Sequence, residues 1–294
     1  MIFFKRRNSL KTVSKKNQKN KKAVTLNKNK SKKKKQKKRG KILLTIILII
    51  AIVIVFLLIL YSDLFNIKNI TVLNNSKVTT QEIIQNSGLA IGNNMFKTFK
   101  TTSEKGIKTN PYIENVKITK KINGEVILEI EERTPTYMLN TENGYAYINN
   151  QGYILEMSLE PLQIPEIIGY QTVDITPGKR LEIQDLQKLN IVIQIMKVAG
   201  ELQKLEEVSK MLSEANIDGI QDKFTVINIS DANNFIIEIP SEGKTVEFGD
   251  ETCINVKILW IIKLILLEKG NPGTIVVNTP NINIEKKAYF REQV

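Results

Sequence analysis

Residues 110–133 read NPYIENVKITKKINGEVILEIEER, and this stretch decides the fold of the region around it. Val116 and Ile118 alternate with lysines and the turn pair Asn123-Gly124 follows. Val126, Leu128 and Ile130 then alternate with Ile127, Glu129 and Glu131. A period of two on both sides of an Asn-Gly pair is typical of a β-hairpin with a tight turn. The sequence therefore predicts two antiparallel strands joined at this turn.

The residues before the hairpin predict one strand and two helices. Ile67, Ile70 and Val72 favour a strand, and Thr79 followed three residues later by Glu82 has the form of a capping box that opens a helix ending near Gly88. A weaker helix is predicted within residues 96–108, where Gly106 lowers the helix propensity. The predicted order is strand, helix, helix, strand, strand.

After Arg133 the pattern changes to short strands and longer helices. Helical periodicity predicts helices over residues 182–199 and 202–212, and Asp250 or Thr252 is expected to cap a last helix over residues 253–268. That helix is apolar but too short to span a bilayer, so we expect it to be buried against a sheet. Strand signals lie at residues 137–139, 145–148, 153–155, 224–229, 235–239, 245–248 and 274–277. The second region is therefore expected to be a mixed α/β domain on a mainly antiparallel sheet.

An apolar segment and a basic tail precede both regions. Residues 42–61 carry no charged side chain, and twenty residues span a bilayer core of about 30 Å. A signal peptide would have a shorter apolar core and small residues at a cleavage site, whereas this segment ends in bulky Leu58, Ile59 and Leu60. We therefore expect a retained, single transmembrane helix.

The charge of the chain lies almost wholly in its first 41 residues. These hold 19 of the 43 Lys and Arg residues and no acid, whereas residues 62–294 hold 24 basic and 30 acidic side chains. The positive flank predicts a cytoplasmic N-terminus and an exported remainder. The composition of the tail favours disorder. Its charges serve either as a topology signal only or as a contact for anionic lipid head groups; a nucleic-acid arm is the less favoured reading.

Few residues support an enzyme. The chain has no His, the usual general base and the commonest zinc ligand, and no phosphate-binding motif. The pairs Glu131-Glu132 and Glu206-Glu207 are interpreted as solvated faces, Cys253 as a buried thiol rather than a reactive one, and Trp260 as a core residue. No cofactor and no metal are expected.

The ordered features resemble the FtsQ/DivIB family of cell division proteins. The resemblance rests on FNIKNITVLNN at residues 65–75, VTTQEIIQNSGLAIGNNMF at 78–96, the hairpin at 110–133, AYINNQGYIL at 146–155 and IPEIIG at 164–169. It implies an α+β fold: a bitopic membrane protein with one N-terminal transmembrane helix, a small β-α-α-β-β POTRA domain and a C-terminal mixed α/β domain.

The expected organisation is a basic cytoplasmic tail (1–41), a transmembrane helix (42–61), a POTRA domain (64–132), an FtsQ/DivIB-type β domain (133–278) and a C-terminal tail (279–294). The resemblance implies a noncatalytic divisome scaffold at the septum of the cell membrane. Such a scaffold binds FtsL-like and FtsB/DivIC-like partners, acts with other septal wall synthesis proteins, and regulates septal peptidoglycan synthesis. Two alternatives remain at this point: a membrane-anchored enzyme acting on wall polymers, and a POTRA protein of an export machine.

The partner site is expected at the end of the chain. Residues 274–277 give the last strand signal, and a terminal strand often lies at a sheet edge, where its unpaired main-chain groups can accept a partner strand. The resemblance places partner contacts at Ile275, Val276, Val277, Tyr289 and Phe290. The alternative is that this strand is interior and the end is frayed.

Overall fold

The computed structural model describes residues 40–279, 282–283 and 288–293. Most of the predicted basic tail, residues 1–39, lies outside this described part. Within it, the chain forms two compact units. The first contains residues 40–68 with the segments Gly92–Lys97 and Ile122–Gly124, and the second contains Asn69–Ile91, Thr98–Lys121 and the chain from Glu125 onward.

The first unit begins with helix α1, Gly40–Leu60, which has a mean hydropathy of 3.7 and is long and apolar enough to cross a membrane. A 3-10 turn, Asp63–Phe65, follows it. The chain then pairs with the segment Gly92–Lys97 through hydrogen bonds from Ile67 N–H to Asn93 C=O (2.8 Å) and from Met95 N–H to Phe65 C=O (3.0 Å). The polypeptide is therefore ordered directly after the apolar helix.

The second unit contains a three-stranded sheet covered by two short helices. The strands are β1 (Asn69–Leu73), β2 (Ile113–Lys120) and β3 (Glu125–Glu132), in the order β1-β3-β2. β1 is parallel to β3, and β2 is antiparallel to it. The helices α2 (Thr80–Ser87) and α3 (Lys100–Ile107) lie between β1 and β2 in the chain, which confirms the predicted order.

The helix ends follow the sequence signals. The side chain of Thr79 accepts a hydrogen bond from Glu82 N–H at 3.3 Å, so Thr79 is the N-cap of α2. Gly88 ends α2 with φ +65°, a conformation that glycine adopts without strain. In α3, a Cβ added at Gly106 would lie 2.1 Å from the carbonyl oxygen of Asn86. The glycine that weakens the helix propensity of α3 thus lets the two helices approach closely.

The same unit holds a nine-stranded sheet in the order β12-β11-β10-β9-β8-β7-β4-β5-β6. Its strands are β4 (Tyr137–Thr141), β5 (Gly144–Ile148), β6 (Ile154–Ser158), β7 (Glu166–Ile168), β8 (Val226–Asn228), β9 (Phe235–Ile239), β10 (Lys244–Gly249), β11 (Gly273–Val276) and β12 (Tyr289–Glu292). Five neighbouring pairs are antiparallel and three are parallel, which confirms a mixed, mainly antiparallel sheet. β7 and β12 were not predicted from periodicity.

Three helices pack on this sheet: α4 (Ile183–Leu202), α5 (Glu206–Glu214) and α6 (Ile254–Leu267). The predicted buried position of α6 is confirmed, since Ile258, Ile261 and Ile265 are fully buried in the sheet core. The N-terminus of α6 differs from the prediction in two ways. Cys253, with φ +53°, is the N-cap residue and is exposed, so the prediction of a buried thiol is wrong. The predicted caps Asp250 and Thr252 are therefore not the N-cap. Asp250 accepts a hydrogen bond from the buried ammonium of Lys257.

Side chains join the two sheets of the second unit. The Tyr112 hydroxyl donates to Glu156 Oε2 at 2.7 Å, and Lys77 forms an ion pair with the same carboxylate at 2.8 Å. The Lys77 ammonium and the Tyr112 hydroxyl hold the pKa of Glu156 below its usual range. Arg133 lies over the ring of Tyr153, 4.3 Å from its centroid, and Arg180 lies 5.5 Å from the same centroid. Both sheets are therefore connected by polar contacts at β6 and the loop before it.

Candidate partner-binding edge

The predicted edge strand is not the edge of the sheet. β11 lies between β10, to which it is parallel, and β12, to which it is antiparallel. Ile275, Val276 and Val277 are all buried. The prediction that this strand forms a sheet edge with unpaired main-chain groups is wrong, because residues near the C-terminus add a further strand. Of the five predicted contact residues, only Tyr289 and Phe290 lie on the strand that ends the sheet.

The outer side of β12 carries main-chain groups that point away from the sheet. Gln293 N–H donates to Pro272 C=O at 3.1 Å, which continues the β11 and β12 register by one residue pair. In an antiparallel ladder, the residues of one strand alternately point their main-chain groups toward and away from the neighbour. The N–H and C=O of Phe290 and Glu292 therefore point outward. Among the described residues, β12 has no neighbouring strand on that side.

The side chains of β12 separate into an inner and an outer set. Phe290 is half-buried and packs against the core of the large sheet. Tyr289 is 49% exposed, and Arg291 pairs with Glu247 on β10. An incoming strand would therefore meet main-chain donors and acceptors beside an exposed aromatic ring, which is the arrangement used in recognition by strand addition.

A close approach positions β12 against β11. A Cβ added at Gly273 would lie 2.3 Å from the carbonyl oxygen of Arg291 and 2.5 Å from Cζ of Phe290. Only a residue without a side chain allows both contacts at this place. Gly273 is thus a structural requirement of the edge.

A buried lysine supports the same corner of the sheet. The Lys244 ammonium donates to the carbonyl oxygens of Glu242 (3.2 Å), Glu268 (2.9 Å) and Asn271 (3.0 Å). It also lies 5.7 Å from the centroid of the Phe290 ring. Burial lowers the pKa of Lys244, while Glu242 and Glu268 act in the opposite direction. Lys244 therefore links the end of α6 to the strand that carries the outward groups.

The opposite end of the sheet is partly covered. β6 is the terminal strand there, and Ile154 exchanges hydrogen bonds with the following loop: its N–H donates to Lys179 C=O and its C=O accepts from Gly178 N–H, both at 2.8 Å. Glu156 on the same strand binds Lys77 and Tyr112. β12 is therefore the more accessible of the two terminal strands.

The two acidic pairs, Glu131-Glu132 and Glu206-Glu207, have different structural surroundings. The carboxylate of Glu132 accepts hydrogen bonds from three successive main-chain N–H groups at residues 76–78, at 2.8–3.1 Å, so it stabilises the turn before α2. Glu206 and Glu207 are exposed in the first turn of α5, where carboxylates complement the helix dipole. Trp260 donates from Nε1 to Asn283 C=O at 3.1 Å. It was predicted as a core residue, and the structure has it partly buried and packed against the core.

The local sequence contains little evidence for β12, the strand that forms this edge. Ile282 and Ala288 are buried in the core of the large sheet although polar residues separate them. β12 spans only the four residues Tyr289–Glu292, which is too short for an alternation to stand out. The adjacent aromatic residues Tyr289, which is exposed, and Phe290, which is half-buried, are the main local feature that marks this strand.

A known family profile matches the part of the chain that contains the three-stranded sheet and its two helices. The family profile described as "POTRA domain, FtsQ-type" matches residues 65–133. These residues include the hairpin of β2 and β3 and the capped helix α2.

Similarity to individual proteins extends over most of the chain. A "Cell division protein DivIB" of Clostridium botulinum is 26% identical over 230 residues, which covers 76% of this chain and 83% of that protein. DivIB of Clostridium acetobutylicum is 32% identical over 137 residues, covering 46% and 55%. A "Cell division protein FtsQ" of Syntrophotalea carbinolica is 22% identical over 133 residues, covering 45% and 47%.

Proposed function

We propose that this protein, which carries an FtsQ-type POTRA domain and is similar to DivIB over most of its length, is a noncatalytic, membrane-anchored scaffold of bacterial cell division. The similarity to proteins named for cell division supports the role. The apolar helix α1 supports the anchor. The basic residues before it support a cytoplasmic N-terminus and a folded part outside the membrane. The similarity to proteins named for cell division supports a location at the division septum.

The outer side of β12 is the proposed docking site. The observation that carries this proposal is the pair of outward-pointing main-chain groups at Phe290 and Glu292, beside exposed Tyr289. Segments of FtsL-like and FtsB/DivIC-like proteins would add a strand there, with affinity from main-chain hydrogen bonds and selectivity from the side chains. By holding these partners, the scaffold would regulate septal peptidoglycan synthesis by other proteins.

Glu292→Pro tests the docking site without removing a bond of the native sheet. Proline lacks the N–H that points outward at this position, and edge strands tolerate proline there. The matched control is Glu292→Ala, which removes the exposed side chain but keeps the N–H. The full chain in detergent is mixed with the extracytoplasmic segments of the FtsL-like and DivIC-like proteins of the same organism, and capture is measured.

The expected result is that Glu292→Pro loses capture while Glu292→Ala retains it, with both variants melting as cooperatively as the parent. Equal capture by the proline variant and the parent would refute docking at this edge. Loss of capture by both variants would instead assign recognition to the side chain of Glu292.

A further inference from the structure

Three exposed apolar side chains belong to the unit that contains the apolar helix. Leu64, Phe96 and Ile122 are 72%, 40% and 79% exposed, and we call this set the apolar foot. Phe96 is fixed by an edge-to-face contact with Phe65, at 5.3 Å between ring centroids. None of the three is buried within the unit, so each can contact an apolar environment outside it.

A buried amide ties one member of the foot to the end of α1. Asn94 donates from Nδ2 to the carbonyl oxygens of Leu60 (3.1 Å) and Ser62 (2.9 Å). Its Oδ1 accepts a hydrogen bond from Phe96 N–H at 2.9 Å. Asn94 is only 5% exposed, so these bonds are shielded from water. Phe96 is therefore held close to the last residue of the apolar helix.

The turn that carries Ile122 is attached to the same unit. Lys68 N–H donates to Gly124 C=O at 2.8 Å. Gly124 has φ +91°, and a Cβ there would lie 2.7 Å from the carbonyl oxygen of Asn66, so only glycine permits this approach. Ile122 thus extends from a turn that is packed against the segment directly following the 3-10 turn.

The length of α1 sets the depth of these groups. Its 21 residues span about 32 Å at 1.5 Å per residue, close to the bilayer hydrocarbon core of about 30 Å. Leu60 therefore lies near the outer boundary of the core when α1 crosses the membrane. The head-group layer beyond that boundary is roughly 5–7 Å thick on each side. Groups hydrogen-bonded to Leu60 must lie within that layer.

We propose that the apolar foot inserts into the head-group layer of the outer leaflet and holds this unit against the membrane surface. Leu64, Phe96 and Ile122 would reach the acyl boundary, as the apolar residues of interfacial segments do. Exposed Lys68 and Lys97 of the same unit would lie among the lipid phosphates. This inference rests on the membrane anchoring in the proposed function and is independent of docking at β12.

The test uses single cysteines carrying the small fluorophore bimane. In a Cys253→Ser background, which removes the exposed native thiol, Leu64, Phe96 and Ile122 are each replaced by Cys in the full chain. The protein is reconstituted into nanodiscs of phosphatidylcholine and phosphatidylglycerol, with and without lipids that carry a doxyl quencher near the head group. Val53→Cys in α1 reports insertion of the helix, and Leu159→Cys, at an exposed apolar residue of the second unit, is the matched control.

The expected result is quenching at positions 64, 96 and 122 that is several-fold stronger than at position 159. Adding Phe96→Asp to the protein labelled at position 64 should weaken quenching there, because the foot would no longer insert as one surface. Quenching at 96 and 122 no stronger than at 159 would overturn the proposal. Quenching confined to position 64 would also overturn it, since that residue directly follows the helix.

Two outcomes of this experiment distinguish failure of this inference from failure of the proposed function. If the foot labels are not quenched but the partner segments are still captured, only the membrane contact of the foot is refuted. If the label at position 53 is not quenched by lipids carrying the doxyl group in the acyl chain, the helix is not inserted. That outcome would refute the membrane anchor on which both proposals rely.

Discussion

At the scale of single residues, two glycines within helices differ in the group that an added side chain would meet. Gly106 in α3 faces the backbone of α2, where an added Cβ would lie 2.1 Å from the Asn86 carbonyl oxygen. In α4, a Cβ added at Gly200 would lie 2.4 Å from Oε1 of the Gln221 side chain. A backbone group cannot move aside without shifting a helix, whereas the end of a glutamine side chain can rotate.

Gly106→Ala is therefore expected to destabilise the protein, and Gly200→Ala is not. Alanine adds up to about 1 kcal/mol of helix propensity at either position. Overpacking against α2 costs about 1–3 kcal/mol, so the net effect at Gly106 is a loss. Urea denaturation of both variants measures the difference. A Gly106→Ala variant as stable as Gly200→Ala would contradict the close helix contact.

The lowered pKa of Asp250 predicts that the stability of the protein depends on pH. The hydroxyl of Thr252 is the main cause of its lowered pKa, which falls from 3.8 to about 2 with further help from Lys257. Because the unfolded state binds more protons across this interval, the stabilisation from this carboxylate is present above about pH 4 and is lost as the pH falls toward 2. We expect Asp250→Asn to be less stable than the parent at neutral pH, since it leaves the buried Lys257 ammonium without its anion.

Urea midpoints measured between neutral pH and about pH 2 test this expectation. The difference between Asp250→Asn and the parent should shrink as the carboxylate of the parent is protonated. Asp218→Asn, which replaces an exposed carboxylate by an amide, is measured alongside as the control. A difference that stays constant down to the lowest pH would contradict the prediction.

At the scale of elements, the packing of β12 depends on β11. The strand is short, and its attachment combines the ladder to β11, the half-buried ring of Phe290 and the ion pair of Arg291 with Glu247. Truncation after Asn278 would remove all of these together with buried Ile282 and Ala288. Removal of the whole segment would therefore disturb the core, and a local change gives a cleaner test of the edge.

Gly273→Val is expected to displace β12 and abolish partner capture. The valine would overlap the Arg291 carbonyl and the Phe290 ring, at a cost of about 1–3 kcal/mol in stability. Thr274→Val, in the same strand, introduces the same side chain at a position that already carries a β-branched residue and should retain capture. Capture and urea denaturation are measured for both. Full capture by Gly273→Val would count against docking at β12.

At the scale of the whole molecule, the distribution of charge predicts the orientation in the membrane. The 19 basic residues before residue 42 precede the apolar helix, and the part after it has more acidic than basic side chains. Positive residues are retained on the cytoplasmic side during insertion. The chain should therefore expose its folded part outside the membrane.

Protease added to intact protoplasts should remove the residues beyond Asp63 and spare the N-terminal tail. Epitope tags at the two ends, detected by immunoblotting, report the outcome. Permeabilised protoplasts provide the control, in which both tags are lost. Survival of the C-terminal tag in intact protoplasts would contradict this orientation.

The sequence by itself determined the features that depend on neighbouring residues. The turn at Asn123-Gly124, the cap at Thr79 and the apolar run within α1 were all predictable, because turn chemistry, capping and periodicity act over a few residues. These signals also carried the resemblance to FtsQ and DivIB proteins.

Only the tertiary structure decided which strand ends the large sheet and what surrounds Gly106 and Cys253. Strand order depends on pairing between residues far apart in the chain, so the last strong strand signal became an interior strand once Tyr289–Glu292 paired beside it. In the same way, the exposure of Cys253 and the need for glycine at position 106 depend on which backbone or side chain lies opposite. Such contacts leave no periodic trace in the sequence, because each is made with a partner whose position is fixed only by the completed fold.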